Sequence, residues 1–130
     1  MITHAARRLL SLSLCLIALN TPSVAADDMP QGDADHGRQL YDSRCGACHL
    51  PDADRTGPRH RGIIGRRAGS VSGFNYSPAL KAAGFVWNEE RLDRWLTDPQ
   101  ALVPGQRMNF RVSNPLDRAD IIAYLRTLKN

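Results

Sequence analysis

Apolar residues recur along this chain in short helical stripes, separated by polar and glycine-rich stretches. The first stripe runs from about Ala34 to Arg44, where Gly37, Leu40 and Tyr41 fall at i, i+3 and i+4, with Asp33 or Asp35 placed to cap it. Ser77-Pro78 reads as an N-cap followed by proline at the first helical position, and Gly84 as the end of that short helix. Asn88-Glu89-Glu90 opens another helix, with Leu92, Trp95 and Leu96 on one side and Asp98-Pro99 expected to stop it. The last begins at Asn114-Pro115 and carries Ile121, Tyr124, Leu125 and Leu128 as its stripe. Between these elements, residues 59 to 75 hold four glycines without either period, and residues 102 to 112 hold Pro104 and Gly105. The first of these loops is too long to be a plain connection. No alternating strand and no internal repeat appears. The pattern predicts a small all-α domain of about four helices joined by long loops.

The N-terminus has a different composition. Arg7 and Arg8 precede an apolar run from Leu9 to Leu19, and Pro22-Ser23-Val24-Ala25-Ala26 ends in small residues. That is the layout of a secretory signal peptide, with cleavage expected after Ala25 or Ala26. The apolar run covers about 11 residues against the roughly 20 that a spanning helix needs. Residues 1–26 are therefore expected to leave, taking Cys15 with them, and residues 27–130 to form the domain. A loose polar lead-in, interrupted by Pro30, would occupy residues 27 to 32.

Charge and size then narrow the function. Removing Arg7 and Arg8 from the 17 basic residues leaves 15 against 13 acids, a net charge of only about +2. So slight an excess does not call for nucleic-acid binding. A domain of about 104 residues with few aromatics also has trouble filling a core unaided.

What could fill it is indicated at Cys45-Gly46-Ala47-Cys48-His49. Two thiols three residues apart with an imidazole beside the second form the pattern of c-type haem attachment. The thiols can form thioethers to the haem vinyl groups, and the imidazole can reach the iron. A thioredoxin-like dithiol wants a strand–helix context that this chain does not offer. A zinc site needs four ligands, and the supply is two cysteines and histidines 36, 49 and 60. A plain disulfide would leave His49 without a role. In an exported chain the haem reading is the strongest of these. Soft thioether sulfur suits a sixth haem ligand, and Met108 is the methionine within the domain, in a loop bounded by proline and glycine. The alternative for a lone methionine is core packing.

From Gly32 to Leu128 the chain resembles the class I cytochromes c of the mitochondrial and cytochrome c2 type. The resemblance is carried by the haem motif, by Thr56-Gly57-Pro58, Gly62-Ile63-Ile64-Gly65-Arg66, Gly73-Phe74-Asn75-Tyr76-Ser77 and Val86-Trp87. It continues through Pro104-Gly105-Gln106-Arg107-Met108 and residues 118 to 125. It implies a small all-α cytochrome c fold wrapped around one haem c, attached through Cys45 and Cys48 and ligated by His49 and Met108. It further implies that the Pro58 carbonyl takes the hydrogen bond from the free nitrogen of His49. Arg66, Tyr76 and Trp87 match positions that bond or screen a buried haem propionate, which is costly to bury unpaired. Gly37 and Tyr41 match the crossing of the first helix with Ile121 and Tyr124 of the last.

The chain departs from that family at two positions. His60 stands where a leucine usually lies against the haem, flanked by Arg59 and Arg61. The plainer expectation is an exposed histidine in a basic loop, the other a ring that tunes the haem. Gln106 replaces the usual threonine, which puts the support of the methionine loop in question. Arg107 and Arg111 flank Met108, where a basic rim would steer acidic partners.

The expected function is that of a periplasmic electron carrier, cycling between ferric and ferrous, with no catalytic residues and no small-molecule substrate. Its partners would be redox proteins, presenting acidic docking surfaces or belonging to membrane complexes. Two rivals remain at this level: a dedicated cytochrome subunit of a larger dehydrogenase or oxidase, and a haem enzyme or gas-binding protein with an open sixth site.

Overall fold

Local capping sets the order of elements in the computed structural model, which describes residues 31–130. The expected signal segment at 1–26, Cys15 and Met29 lie outside the described residues. Asp33 caps α1 (Ala34–Arg44), its carboxylate accepting from the N–H groups of Asp35 and His36. Ser77 caps α2 (Pro78–Ala82), with proline at the first position, and the chain leaves it through Gly84 at φ 74°. Asn88 caps α3 (Glu89–Thr97) by accepting from Arg91 N–H. Asn114 caps α5 (Pro115–Thr127) by accepting from Leu116 N–H.

The expectation of about four helices misses one. Asp98 does end α3, but its carboxylate then accepts from Gln100 and Ala101 N–H and starts α4 (Pro99–Leu102). A stop signal that carries its own cap and a following proline is also a start signal. Among the described residues there are thus five helices, and the β pairing is a single bridge between Arg67 and Val86.

The main packing contact is α1 against α5. Tyr41 and Ile121 are each only 1 % exposed, and the Tyr41 and Tyr124 rings meet at 5.2 Å between centroids. Gly37 makes this crossing possible, since a methyl there would lie 1.9 Å from the Asp120 carbonyl oxygen. Gly32 is as tightly placed, with Ala119 O 2.1 Å from where its methyl would be. The end of the expected loose lead-in is therefore packed on α5. α3 leans on α5 as well, and Leu92, Trp95 and Leu96 join Ile121 and Leu125 in one core. Together these helices form one side of a hollow, and α2 with the segments between the helices form the rest.

Candidate haem site

The hollow is a cavity of about 490 Å³, within the size range of cofactor pockets. All eight residues singled out from the sequence line it: Cys45, Cys48, His49, Pro58, Arg66, Tyr76, Trp87 and Met108. Much of the remaining lining is apolar, supplied by Ile63, Leu80, Leu92, Leu96, Ile121 and Leu125.

The wall that carries His49 is built by consecutive chain. Cys45 closes α1 through its N–H to Tyr41 O, and the next turn is tied by Cys48 N–H and His49 N–H, both donating to Cys45 O. This places the two thiols and the imidazole at one helix end. His49 Nδ1 donates to Pro58 O at 2.8 Å. Burial holds the imidazole pKa below its ordinary value, with the Pro58 carbonyl partly opposing, so the ring is neutral with its proton at Nδ1. The lone pair is left on Nε2. Gly57 is required here, because a methyl on it would lie 2.0 Å from His49 Cε1. Cys45 is pushed up to about 11, first by burial. A redox-active dithiol needs the opposite shift, which argues against the dithiol reading.

His60 overturns the plainer expectation of an exposed ring. It stacks on His49, with centroids 4.1 Å apart and planes 20° apart, and its Nδ1 lies 3.1 Å from the Tyr41 hydroxyl. It is half-buried and lines the cavity. Burial, then the neighbouring His49 and Arg66, hold its pKa well below the ordinary histidine value.

The wall that carries Met108 is built by side chains. Trp95 Nε1 donates to Met108 Sδ at 3.2 Å. Gln106, 5 % exposed, clamps the Met108 backbone from both sides: its Nε2 donates to Met108 O at 2.7 Å, and its Oε1 accepts from Met108 N–H. Gln100 of α4 extends the clamp by donating to Gln106 O and accepting from Gly105 N–H. The question raised by Gln106 is thus answered: two amide hydrogen bonds support the loop. In the sequence Trp95 belongs to the α3 stripe with Leu92 and Leu96, and its second role does not show there. The available signal was chemical, since a buried indole N–H usually finds an acceptor. Of the expected basic rim, Arg107 borders the cavity and donates to Asn75 O, while Arg111 pairs with Asp98.

Arg66, Tyr76 and Trp87 are brought together at a third part of the lining. The bridge between residues 67 and 86 aligns Arg66 with Trp87, whose N–H donates to Arg66 O. Arg66 donates to the carbonyls of Arg59 and Arg61, which holds the glycine-rich loop and leaves part of its donor set unused. The Tyr76 oxygen accepts from Val71 N–H, leaving the phenol proton to donate. Burial keeps that phenol above its ordinary pKa.

A haem fits these walls. Two unpaired thiols, a nitrogen lone pair and a thioether sulfur share one largely apolar cavity, and hydrogen-bond donors suited to carboxylates stand at one part of it. The comparisons with known proteins agree. The cytochrome c family profile matches residues 34–129. The chain is 44 % identical over 102 residues to a cytochrome c from Euglena viridis, covering 76 % of this chain and 100 % of that protein. It is 45 % identical over 100 residues to cytochrome c2 from Rhodomicrobium vannielii, covering 74 % and 79 %. The solved structure of cytochrome cH from Methylobacterium extorquens matches with a TM-score of 0.70 and 41 % identity, covering 74 % of this chain and 99 % of that one. This chain belongs to the class I cytochromes c, electron carriers rather than enzymes, whose cofactor is one haem c held covalently at a Cys-x-x-Cys-His sequence such as Cys45–His49.

Proposed function

We propose that the protein is an exported electron carrier with a closed, six-coordinate haem ligated by His49 and Met108. The observation that carries this reading is the one cavity lined by Cys45, Cys48, His49 and Met108, with His49 Nδ1 already engaged by Pro58 O. Bound there, haem supplies one-electron chemistry between ferric and ferrous iron.

The chain's own residues do the rest. Cys45 and Cys48 hold the group by thioethers, which keeps it in place in both oxidation states. His49 keeps its proton at Nδ1, on the Pro58 carbonyl, and presents Nε2 as a ligand whose basicity that hydrogen bond raises. Met108 gives one sulfur lone pair to the Trp95 N–H and presents the other. Arg66, Tyr76 and Trp87 would bond or screen a propionate and reduce the cost of burying it. The apolar lining excludes water, so little rearranges when an electron arrives.

Export to a bacterial periplasm is supported by the residue pattern at 1–26. Among the described residues, no helix is long and apolar enough to cross a membrane. The partners are redox proteins, and Arg107 at the cavity border suits acidic docking surfaces, whether on other carriers or on membrane complexes. Carbon monoxide added to the ferrous protein at neutral pH tests the closed site. No prompt spectral change is expected, and prompt binding would contradict it.

A further inference from the structure

The imidazole stacked on His49 is a feature that the family's leucine could not supply. A hydrogen bond from His49 Nδ1 to Pro58 O fixes where that edge of the ring points. It leaves the ring free to rock about the line of the bond. The stacked ring of His60 covers one face of His49 and removes that freedom. His60 is in turn fixed at three points. Its N–H donates to Leu50 O, its carbonyl accepts from Ile63 N–H, and its Nδ1 meets the Tyr41 hydroxyl at 3.1 Å.

Among the described residues, the Tyr41 hydroxyl has His60 as its side-chain partner. Tyr41 itself is held by its packing against Tyr124 and by the α1–α5 crossing. The path runs from the helix crossing through Tyr41 and His60 to His49.

We infer that Tyr41 and His60 form a positioning pair, which sets the plane of the His49 ring and places a polar ring, where the family has an apolar side chain, beside the haem. The inference rests on the reading of His49 as a ligand. It has two separable consequences. The ring plane governs how the imidazole overlaps the iron orbitals, which the ferric haem-methyl hyperfine shifts report. The imidazole makes this side of the site more polar than a leucine would, which favours the more charged ferric state and lowers the reduction potential.

The test uses the holoprotein, with His60→Leu, His60→Phe and Tyr41→Phe followed by proton NMR of the ferric state and redox titration. The weak red iron–sulfur absorption band serves as the control for Met108 ligation. His60→Leu should shift the potential upward and rearrange the methyl pattern. His60→Phe, which keeps a stacking ring, should shift the potential upward with the methyl pattern largely retained. Tyr41→Phe should move both readouts in the direction of His60→Leu by a smaller amount, and should add nothing in a His60→Leu background. Changes confined to the unfolding midpoint, with potential and methyl pattern unmoved in all three, would reduce the pair to core packing and overturn the inference. A missing red band in the unaltered protein would instead overturn the ligand reading beneath it.

Discussion

On the side of the cavity that carries His49, the ring is held by consecutive backbone, by the Pro58 carbonyl and by a glycine with no room for a methyl. On the side that carries Met108, the sulfur sits in a loop held by side-chain amides from Gln100 and Gln106 and by the indole of Trp95. Loss of one hydrogen bond does not release the His49 ring from its place, because several backbone constraints overlap. The Met108 loop can be loosened in that way, because each constraint is a separate side chain. The histidine side should therefore fail all at once and the methionine side by degrees.

The strongest test of that contrast is Gly57→Ala. The added methyl has 2.0 Å to His49 Cε1, so the ring or the turn must move. The yield of low-spin holoprotein should fall about 10- to 100-fold, the range seen when partners of a metal-ligating side chain are disturbed. A normal yield and spectrum would show that this side is more pliant than described. Gln106→Ala should act less drastically. It leaves the Met108 N–H and C=O without their amide partners, at a cost of about 1–3 kcal/mol. The red band of the ferric protein should then disappear at a lower denaturant concentration, before the helices melt. Loss of both signals together would contradict a loop that fails by degrees.

Trp95→Phe should be milder still. It keeps an aromatic ring and removes the donor to Met108 Sδ, a hydrogen bond worth about 0.5–1.5 kcal/mol. Imidazole added to the ferric protein should displace Met108 with about two- to tenfold higher affinity. Unchanged imidazole affinity would mean that the indole only packs.

The smallest effect is expected at the helix crossing behind His49. Asp120 accepts from Asp33 N–H and His36 Nδ1, and the His36 hydrogen bond chiefly holds its carboxyl below the ordinary 3.8. A depressed folded-state pKa contributes stability that is present above the ordinary carboxylate range and is lost as pH falls through the depressed value. Asp120→Asn should thus lower the unfolding midpoint slightly near neutral pH, with the gap closing below about pH 4. A gap that persists in acid would assign the effect to packing.

The contrast between the two sides also explains what could be read from the sequence. Asp33, Ser77, Asn88 and Asn114 were recognisable as caps because each acts within three residues of itself. The turn that joins Cys45 to His49 is equally local. α4 was hidden because four residues show no period, and Asp98-Pro99 reads as a stop as readily as a start. His60 was misjudged for a different reason. Its neighbours Arg59 and Arg61 suggest a solvated loop, while its partner Tyr41 lies on another element, 19 residues earlier. Trp95 fitted the α3 stripe so well that core packing accounted for it, although its indole N–H still needed an acceptor. The eight residues expected at the site do share one cavity, but the side chains that support two of them became visible only in three dimensions.

A closed site would need both His49 and Met108 as ligands of the haem iron. The most direct measurement is the weak red iron–sulfur band of the ferric protein, recorded with and without Met108→Ala. The account predicts the band in the unaltered protein and its loss in the variant, which keeps its haem covalently attached and has a lower reduction potential. A band that survives the substitution, or that is absent from the unaltered protein, would contradict it.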